Sequence, residues 1–167
     1  ILPGGDHIVD EEFGPAFDQY LGTGFRPGTA PTSLAELIAG GRYLPDYDAV
    51  LRARAAPRVP AVRAAILQRH AALRSALEAI VAGGRYDALL YPPSAVLPQS
   101  MDNPMGGWAP ELAACSGWPA NALPVGRTMR GMPLSVELLA PVAAEPVLFA
   151  LGAAIEDGAG IRPIPDL

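Results

Sequence analysis

The sequence contains no lysine, because all 12 of its basic residues are arginine. A lysine of this chain therefore cannot act as a general base or form a Schiff base, which excludes mechanisms that need one. One cysteine in 167 residues also excludes an internal disulfide and a cysteine-rich zinc site. The net charge of -5 is opposite in sign to that of a typical nucleic-acid-binding surface, so no nucleic-acid partner is expected.

Long hydrophobic runs are missing as well. The most apolar stretch, residues 138–155, is interrupted by Pro141, Glu145 and Pro146, whereas a membrane span needs about 20 apolar residues. The chain does not begin with Met, and residues 1–5 lack the basic and apolar regions of a signal peptide. We expect a soluble chain without membrane contact, either a processed product or a piece of a larger protein. The compartment is left open, with the cytoplasm slightly favoured.

Residues 1–57 are predicted to form short helices joined by loops rich in Gly and Pro. Acidic residues at positions 10–12 suit the first turn of a helix over residues 9–21, where they complement the helix dipole. The spacing of Ser33 and Glu36 matches a capping box at the start of a second helix. Gly40 and Gly41 are expected to end that helix.

Residues 58–167 are predicted to form an α/β portion. A long helix over residues 60–82 carries one apolar stripe, and a further helix opens at Pro146. Short apolar runs predict three strands, at residues 86–91, 120–125 and 134–138. The members of the apolar stripe are Val62, Ile66, Leu73, Leu77 and Ile80. Three strands that carry apolar helices would leave large faces uncovered, so we expect part of a larger sheet.

Four segments of this second portion resemble the C-terminal part of the amidase signature family. They read YDALLYP at residues 86–92, CSGWPANALPVG at 115–126, RGMPLSVELL at 130–139, and EPVLFALGAAIE at 145–156. None of the four motifs is specific alone, but the four together, in this order and spacing, are considerably more specific. The SLAELI segment that starts at Ser33 resembles the family more loosely.

The resemblance implies the C-terminal part of the amidase signature fold, in which helices flank a mixed central sheet. It also implies cleavage of a carboxamide C–N bond by Ser-Ser-Lys acyl transfer, without a metal or an organic cofactor. This chain has no lysine and no adjacent serines, so none of its residues inherits a catalytic role. We therefore expect the catalytic residues in an N-terminal portion of the same protein, and no activity from this chain alone. The alternative is a non-catalytic interaction domain that retains only the C-terminal architecture.

The loop over residues 92–108 is the best candidate for a wall of the substrate pocket. It is long for a loop without structure of its own, and loops on a rigid scaffold commonly carry binding residues. The expected ligand is a small-molecule amide, and a homodimer is left open as a further assembly. The candidate substrate-binding residues are Ser94, Met101, Asp102, Asn103 and Trp108. An ordinary surface loop is the competing interpretation for each of them.

Two other features have a chemical and a plain interpretation. Cys115 with His7 or His70 would make a nucleophile and base, but a lone cysteine is more often a packing residue. Half of the arginines lie between Arg52 and Arg74, which suggests either an anion site or a solvated helix face. We favour the plain interpretation in both cases. The sequence contains no phosphate-binding glycine loop, dinucleotide fingerprint or metal-ligand spacing.

Overall fold

The computed structural model of the protein describes residues 7–26, 28–94 and 111–160, and the elements that it describes up to residue 84 are all helical. They are α1 (Ile8–Gly24), α2 (Leu34–Gly40), a 3-10 turn (Pro45–Tyr47), α3 (Asp48–Ala55), α4 (Pro60–Gly84), β1 (Leu89–Tyr91), α5 (Leu112–Ser116), β2 (Ala120–Arg127), β3 (Pro133–Leu139) and α6 (Glu145–Ala159). The chain divides into two compact units, Ile1–Arg69 and His70–Leu167, here called the first and second unit. The division after residue 57 stays a prediction.

Helix α2 of the first unit begins and ends as its sequence predicts. The Ser33 hydroxyl accepts a hydrogen bond from the Glu36 amide at 3.1 Å. The Glu36 carboxylate reaches one residue further back than in the usual capping box, and accepts from the Thr32 amide at 2.8 Å. At the other end, Gly41 adopts the left-handed conformation with a φ of 61°, which favours glycine. The capping prediction is confirmed.

Helices α1 and α3 of the first unit approach closely at Gly14. A side chain there would place its Cβ 3.0 Å from the Arg54 carbonyl oxygen, so the absence of a side chain lets the two helices meet. Helix α3 itself did not stand out in the sequence, because eight residues are too few to show a helical period clearly. Its one buried residue is Leu51.

The second unit contains a three-stranded antiparallel sheet in the order β1-β3-β2. Leu89 lies opposite Leu139 and Tyr91 opposite Glu137 across the β1–β3 pair. Strands β2 and β3 form a hairpin whose register shifts between Pro124 and Gly126, as in a β-bulge. The prediction of an α/β fold with helices flanking a sheet is confirmed.

Both faces of this sheet carry a hydrophobic cluster. On one face, Leu139 packs with Leu77 of α4 and with Trp118, and we call this group the Trp118 cluster. On the other face, Leu123 and Leu138 pack with Leu148 of α6, together with Ala140. The central strand β3 therefore contributes Leu138 and Leu139 to opposite layers, as the alternation of side chains along a strand requires.

Two sequence expectations were wrong in detail. The first strand covers Leu89–Tyr91 rather than residues 86–91, and Leu90 is 58% exposed because β1 lies at the edge of the described sheet. Along α4, Ile66 and Leu77 are buried as predicted, but Val62 and Ile80 are 45% and 51% exposed. In the part of the chain that the structure describes, no helix has the length and apolar character to cross a bilayer.

Candidate functional site

Ser94 is the one predicted substrate-binding residue that the structure describes. It is half-buried, and it follows the end of β1 after Pro92 and Pro93. The other predicted residues lie outside the described residues, so their roles stay predictions. These are Met101, Asp102, Asn103 and Trp108.

A phenol–carboxylate pair lies on the sheet just before Ser94. The Tyr91 hydroxyl donates a hydrogen bond to Oε1 of Glu137, and the two residues are directly opposite each other across β1 and β3. Burial, followed by this hydrogen bond, raises the pKa of Tyr91 above its ordinary value of 10.0. The phenol is therefore a neutral donor throughout the physiological range. Sequence reasoning missed this pair, although the signal was a lone acidic residue within the apolar strand β3.

The sheet face that carries this pair is covered unevenly. At one end, Leu139 is fully buried in the Trp118 cluster, and the Tyr91 ring packs against that cluster. Toward the start of β3, Glu137 is half-buried and Ser135 is exposed, as is Ala122 on β2. The pair thus lies at the border between a packed core and an open surface, where a hydrogen-bonding group remains accessible to other molecules.

The turn from α5 into β2 is built from buried polar contacts. Ser116 is fully buried; its hydroxyl accepts from the Trp118 amide at 3.1 Å, and Nε of Arg74 donates to its carbonyl oxygen at 2.6 Å. Gly117 follows in the left-handed conformation with a φ of 72°. Since these contacts use the Ser116 hydroxyl and carbonyl for the turn, they indicate a structural role.

Cys115 and His70 are both buried, at 5% and 9% exposure. Cys115 lies in the same short helix α5 as Ser116, and a buried cysteine commonly behaves as a small apolar side chain. The plain interpretation of Cys115 as a packing residue agrees with this burial. His7 is exposed and belongs to the first unit.

The arginine-rich segment is neutralised by acidic residues rather than open to an anion. Arg54 pairs with Asp10 at 3.0 Å, and Arg58 pairs with Glu11 at 3.6 Å. The remaining described pairs of the segment are Arg63 with Glu12 and Arg52 with Asp48. The acids that lead α1 thus serve the helix dipole and also bind the arginines. An anion site at this segment finds no support in these contacts.

The first unit also has an open cavity between α2 and the loop before it. Its lining includes Gly28, Glu36, Leu37 and Arg42. The Glu36 carboxylate already accepts two hydrogen bonds from Thr32, and no nucleophile–base pair faces the cavity among its lining residues. Within the described ranges, no group of three His, Cys, Asp or Glu side chains could hold a metal ion.

Comparisons with known proteins agree with the family resemblance that the motifs indicate. No protein-family model matches the sequence. Among curated proteins, the chain is 34% identical over 90 residues to a subunit of the glutamyl-tRNA(Gln) amidotransferase of Maricaulis maris (strain MCS10). That alignment covers 49% of this chain and 18% of the relative.

Solved amidase structures share the fold over almost the whole chain. The native peptide amidase from Stenotrophomonas maltophilia superposes with a TM-score of 0.78 at 23% identity, over 96% of this chain and 34% of that one. An amidase family protein from Bacillus anthracis str. Ames gives a TM-score of 0.75 at 20% identity, over 99% of this chain and 32% of that one. The chain therefore spans about a third of the length of these amidases. The predicted resemblance to the amidase signature family is confirmed, in sequence by the curated relative and in fold by the solved structures.

Proposed function

We propose that this chain is the C-terminal portion of an amide hydrolase of the amidase signature family. The observation that carries the proposal is the agreement between motif and fold. Four family-like segments occur in order over residues 86–156, and the fold of a peptide amidase covers 96% of the chain but only 34% of that enzyme. A chain with this coverage supplies one part of a catalytic domain.

The reaction proposed for the intact protein is acyl transfer. A serine hydroxyl attacks the carboxamide carbon, the C–N bond breaks, and the amine leaves with a proton that reached it through a second serine and a lysine. Water then hydrolyses the acyl-serine ester to release the acid and regenerate the serine. Because this chain contains no lysine, its proposed contribution is the sheet scaffold and a wall of the substrate pocket.

The proposed pocket wall is the segment over residues 92–108, which would bind a small-molecule amide. Ser94 offers a hydroxyl next to the end of β1, which supports a role in hydrogen bonding to the substrate. Met101, Asp102, Asn103 and Trp108 are proposed for the same wall on sequence grounds alone. Apolar, stacking and hydrogen-bonding groups together suit a pocket that must orient an amide.

The proposed partner of this chain is the N-terminal catalytic portion of the same protein. Strand β1 pairs only with β3 among the described strands, and an unpaired strand edge favours the addition of another strand. Leu90 on that strand is 58% exposed, and Phe149 on α6 is 69% exposed. Burial of such side chains against a second portion would contribute favourable free energy.

Hydrolysis assays on three samples test the proposal. We expect the intact protein to hydrolyse simple amides, the 167-residue chain alone to release no product, and a mixture of this chain with the separately expressed N-terminal portion to recover part of the activity. Product release by the chain alone would overturn the assignment of the catalytic residues. An intact protein that cleaves no amide in a broad panel would instead support the non-catalytic interaction domain.

A further inference from the structure

We propose that Glu137 is a positioning residue that, through Tyr91, fixes the place of Ser94 in the substrate pocket. The inference rests on the proposed function and deepens it, because it assigns a specificity-determining role to two residues that lie in separate family-like segments and that the sheet register brings together. The pair, the two prolines and Ser94 together form a short, stiff connection from the central strand to the proposed binding group.

The anchor of this connection is the central strand. Glu137 lies on β3, the middle strand of the described sheet, two residues before the fully buried Leu139. Its carboxylate accepts a hydrogen bond from the Tyr91 hydroxyl across the strand pair. Without that bond, β1 would be held by its backbone pairing with β3, which covers three residues, and by the packing of Leu89 and Tyr91 against the Trp118 cluster.

The link from Tyr91 to Ser94 is stiff because it consists of Pro92 and Pro93. Each proline fixes its own φ at about -65°. A residue that precedes a proline is confined to extended conformations, and this applies to Tyr91 and to Pro92. The direction in which the chain leaves Tyr91 is therefore transmitted to Ser94 with few rotatable bonds between them.

The identity of the pair suits positioning better than plain packing. A phenylalanine at position 91 would fill the same place against the Trp118 cluster, against which the Tyr91 ring packs. The hydroxyl adds a directional bond to a half-buried carboxylate. Removal of either partner leaves the other without this hydrogen bond, and a single such bond contributes enough to shift an equilibrium severalfold.

Steady-state kinetics of the intact enzyme with a primary amide test the inference. Tyr91→Phe and Glu137→Leu should each raise KM about three- to tenfold, the equivalent of one hydrogen bond, with a smaller change in kcat. Glu137→Gln keeps a carbonyl acceptor and should restore KM to within about twofold. Combined with Ser94→Ala, Tyr91→Phe should add little further loss, because both changes remove the same positioned hydroxyl.

Tyr43→Phe is the matched control. The Tyr43 hydroxyl donates to Asp48 in the first unit, so this variant also loses a phenol–carboxylate bond, but it should leave KM unchanged. An active enzyme whose KM is unaffected by Tyr91→Phe, or in which the Tyr91→Phe and Ser94→Ala effects simply add, would overturn the positioning role and leave the amidase proposal intact.

Hydrogen exchange at the Ser94 amide gives a readout independent of activity. Faster exchange in Tyr91→Phe, with unchanged exchange in Tyr43→Phe, is the expected result, because loss of the anchor frees the end of β1. Equal exchange in wild type and Tyr91→Phe would overturn the anchoring. A failure of the amidase proposal would appear differently, as wild-type protein without amide hydrolysis.

Discussion

At the scale of single residues, the turn after α5 depends on Gly117. Its φ of 72° lies in the left-handed region, where a side chain costs about 1–2 kcal/mol. A Cβ at this position would also lie 3.2 Å from the Arg74 guanidinium, which holds the Ser116 carbonyl. Gly117 therefore satisfies a backbone requirement and leaves space for the arginine that stabilises the turn.

Gly117→Ala should lower the free energy of unfolding of the second unit by about 1–2 kcal/mol. Gly41→Ala is the matched control, since Gly41 has a φ of 61° and nothing within 4 Å of its missing Cβ. Gly41→Ala measures the conformational cost of the left-handed backbone alone. The loss of unfolding free energy in Gly117→Ala should exceed the loss in Gly41→Ala. Denaturant unfolding measures both variants, and equal losses would show that the contact with Arg74 contributes nothing.

The raised pKa of Tyr91 predicts a pH dependence. The folded chain holds the phenolic proton more tightly than the unfolded chain, whose tyrosine has the ordinary value of 10.0. The contribution of this group to stability is complete below pH 10.0 and is lost as the pH rises further. The free energy of unfolding should thus fall more steeply above that pH in wild type than in Tyr91→Phe.

Phenolate absorbance during a pH titration checks directly that the raised pKa belongs to Tyr91. Tyr91→Phe should remove one tyrosine that ionises above pH 10.0. Glu137→Leu should let Tyr91 ionise at a lower pH, because the hydrogen bond and the nearby negative charge are gone. If Tyr91→Phe instead removes a phenol that ionises near pH 10.0, the burial and the bond to Glu137 do not control this group.

At the scale of elements, three consecutive acids of α1 bind three arginines with different exposure. Glu12 and Arg63 pair at the surface, and Arg54 is partly buried but its partner Asp10 is 49% exposed, whereas the Glu11 side chain is only 12% exposed and that of Arg58 is 26% exposed. Glu11 Oε2 and Arg58 Nε are buried and have no hydrogen-bond partner among the described residues. This middle pair is therefore the one whose disruption leaves a charge without compensation.

Glu11→Ala should lower the free energy of unfolding by about 1–3 kcal/mol, because Arg58 stays half-buried without its carboxylate. Glu12→Ala should cost about 0–1 kcal/mol, since Arg63 and Glu12 are solvent-exposed. The double variant Glu11→Leu with Arg58→Met should be more stable than Glu11→Ala. Thermal unfolding measures all three, and equal losses in the two single variants would contradict the role of burial.

Some features of the helices and strands could be predicted from the sequence and others could not. The ends of α2 could be predicted because capping is local: Ser33, Glu36 and Gly41 act within one turn of the helix ends. The partners of Arg54 and Arg58 could not, because Asp10 and Glu11 lie more than 40 residues away in sequence and charge pairing carries no periodic signal. The exposure of Leu90 depends on strand order, and residues 86–91 do not reveal which strand lies at the edge.

In the candidate site, too, the local features could be predicted from the sequence and the contacts between distant residues could not. Ser94 could be proposed from its place in a long segment after a strand, but the Tyr91–Glu137 bond depends on the register of β1 against β3. Register is set by packing across the sheet rather than by either strand alone. The chain's own sequence therefore predicts a segment for binding residues, and the structure adds the Tyr91–Glu137 hydrogen bond at the end of the strand that precedes it.

At the scale of the whole molecule, the exposed apolar side chains are the observation that supports the proposal of a partner for this chain. Half of the sequence is hydrophobic. In the second unit, Leu90 and Phe149 are 58% and 69% exposed. A chain that spans about a third of the amidases it resembles in fold would expose such surfaces where the rest of the domain normally packs. Association with the proposed N-terminal portion should therefore be weakened by a charge at these positions.

Leu90→Arg should leave the unfolding free energy of the 167-residue chain within about 0.5 kcal/mol of wild type, because the position is mostly exposed. It should nevertheless reduce the recovery of amidase activity when the chain is mixed with its N-terminal portion. Met129→Arg adds the same charge at a fully exposed hairpin position and should leave the recovery unchanged. Equal recovery with Leu90→Arg and wild type would place the contact surface elsewhere than the β1 edge.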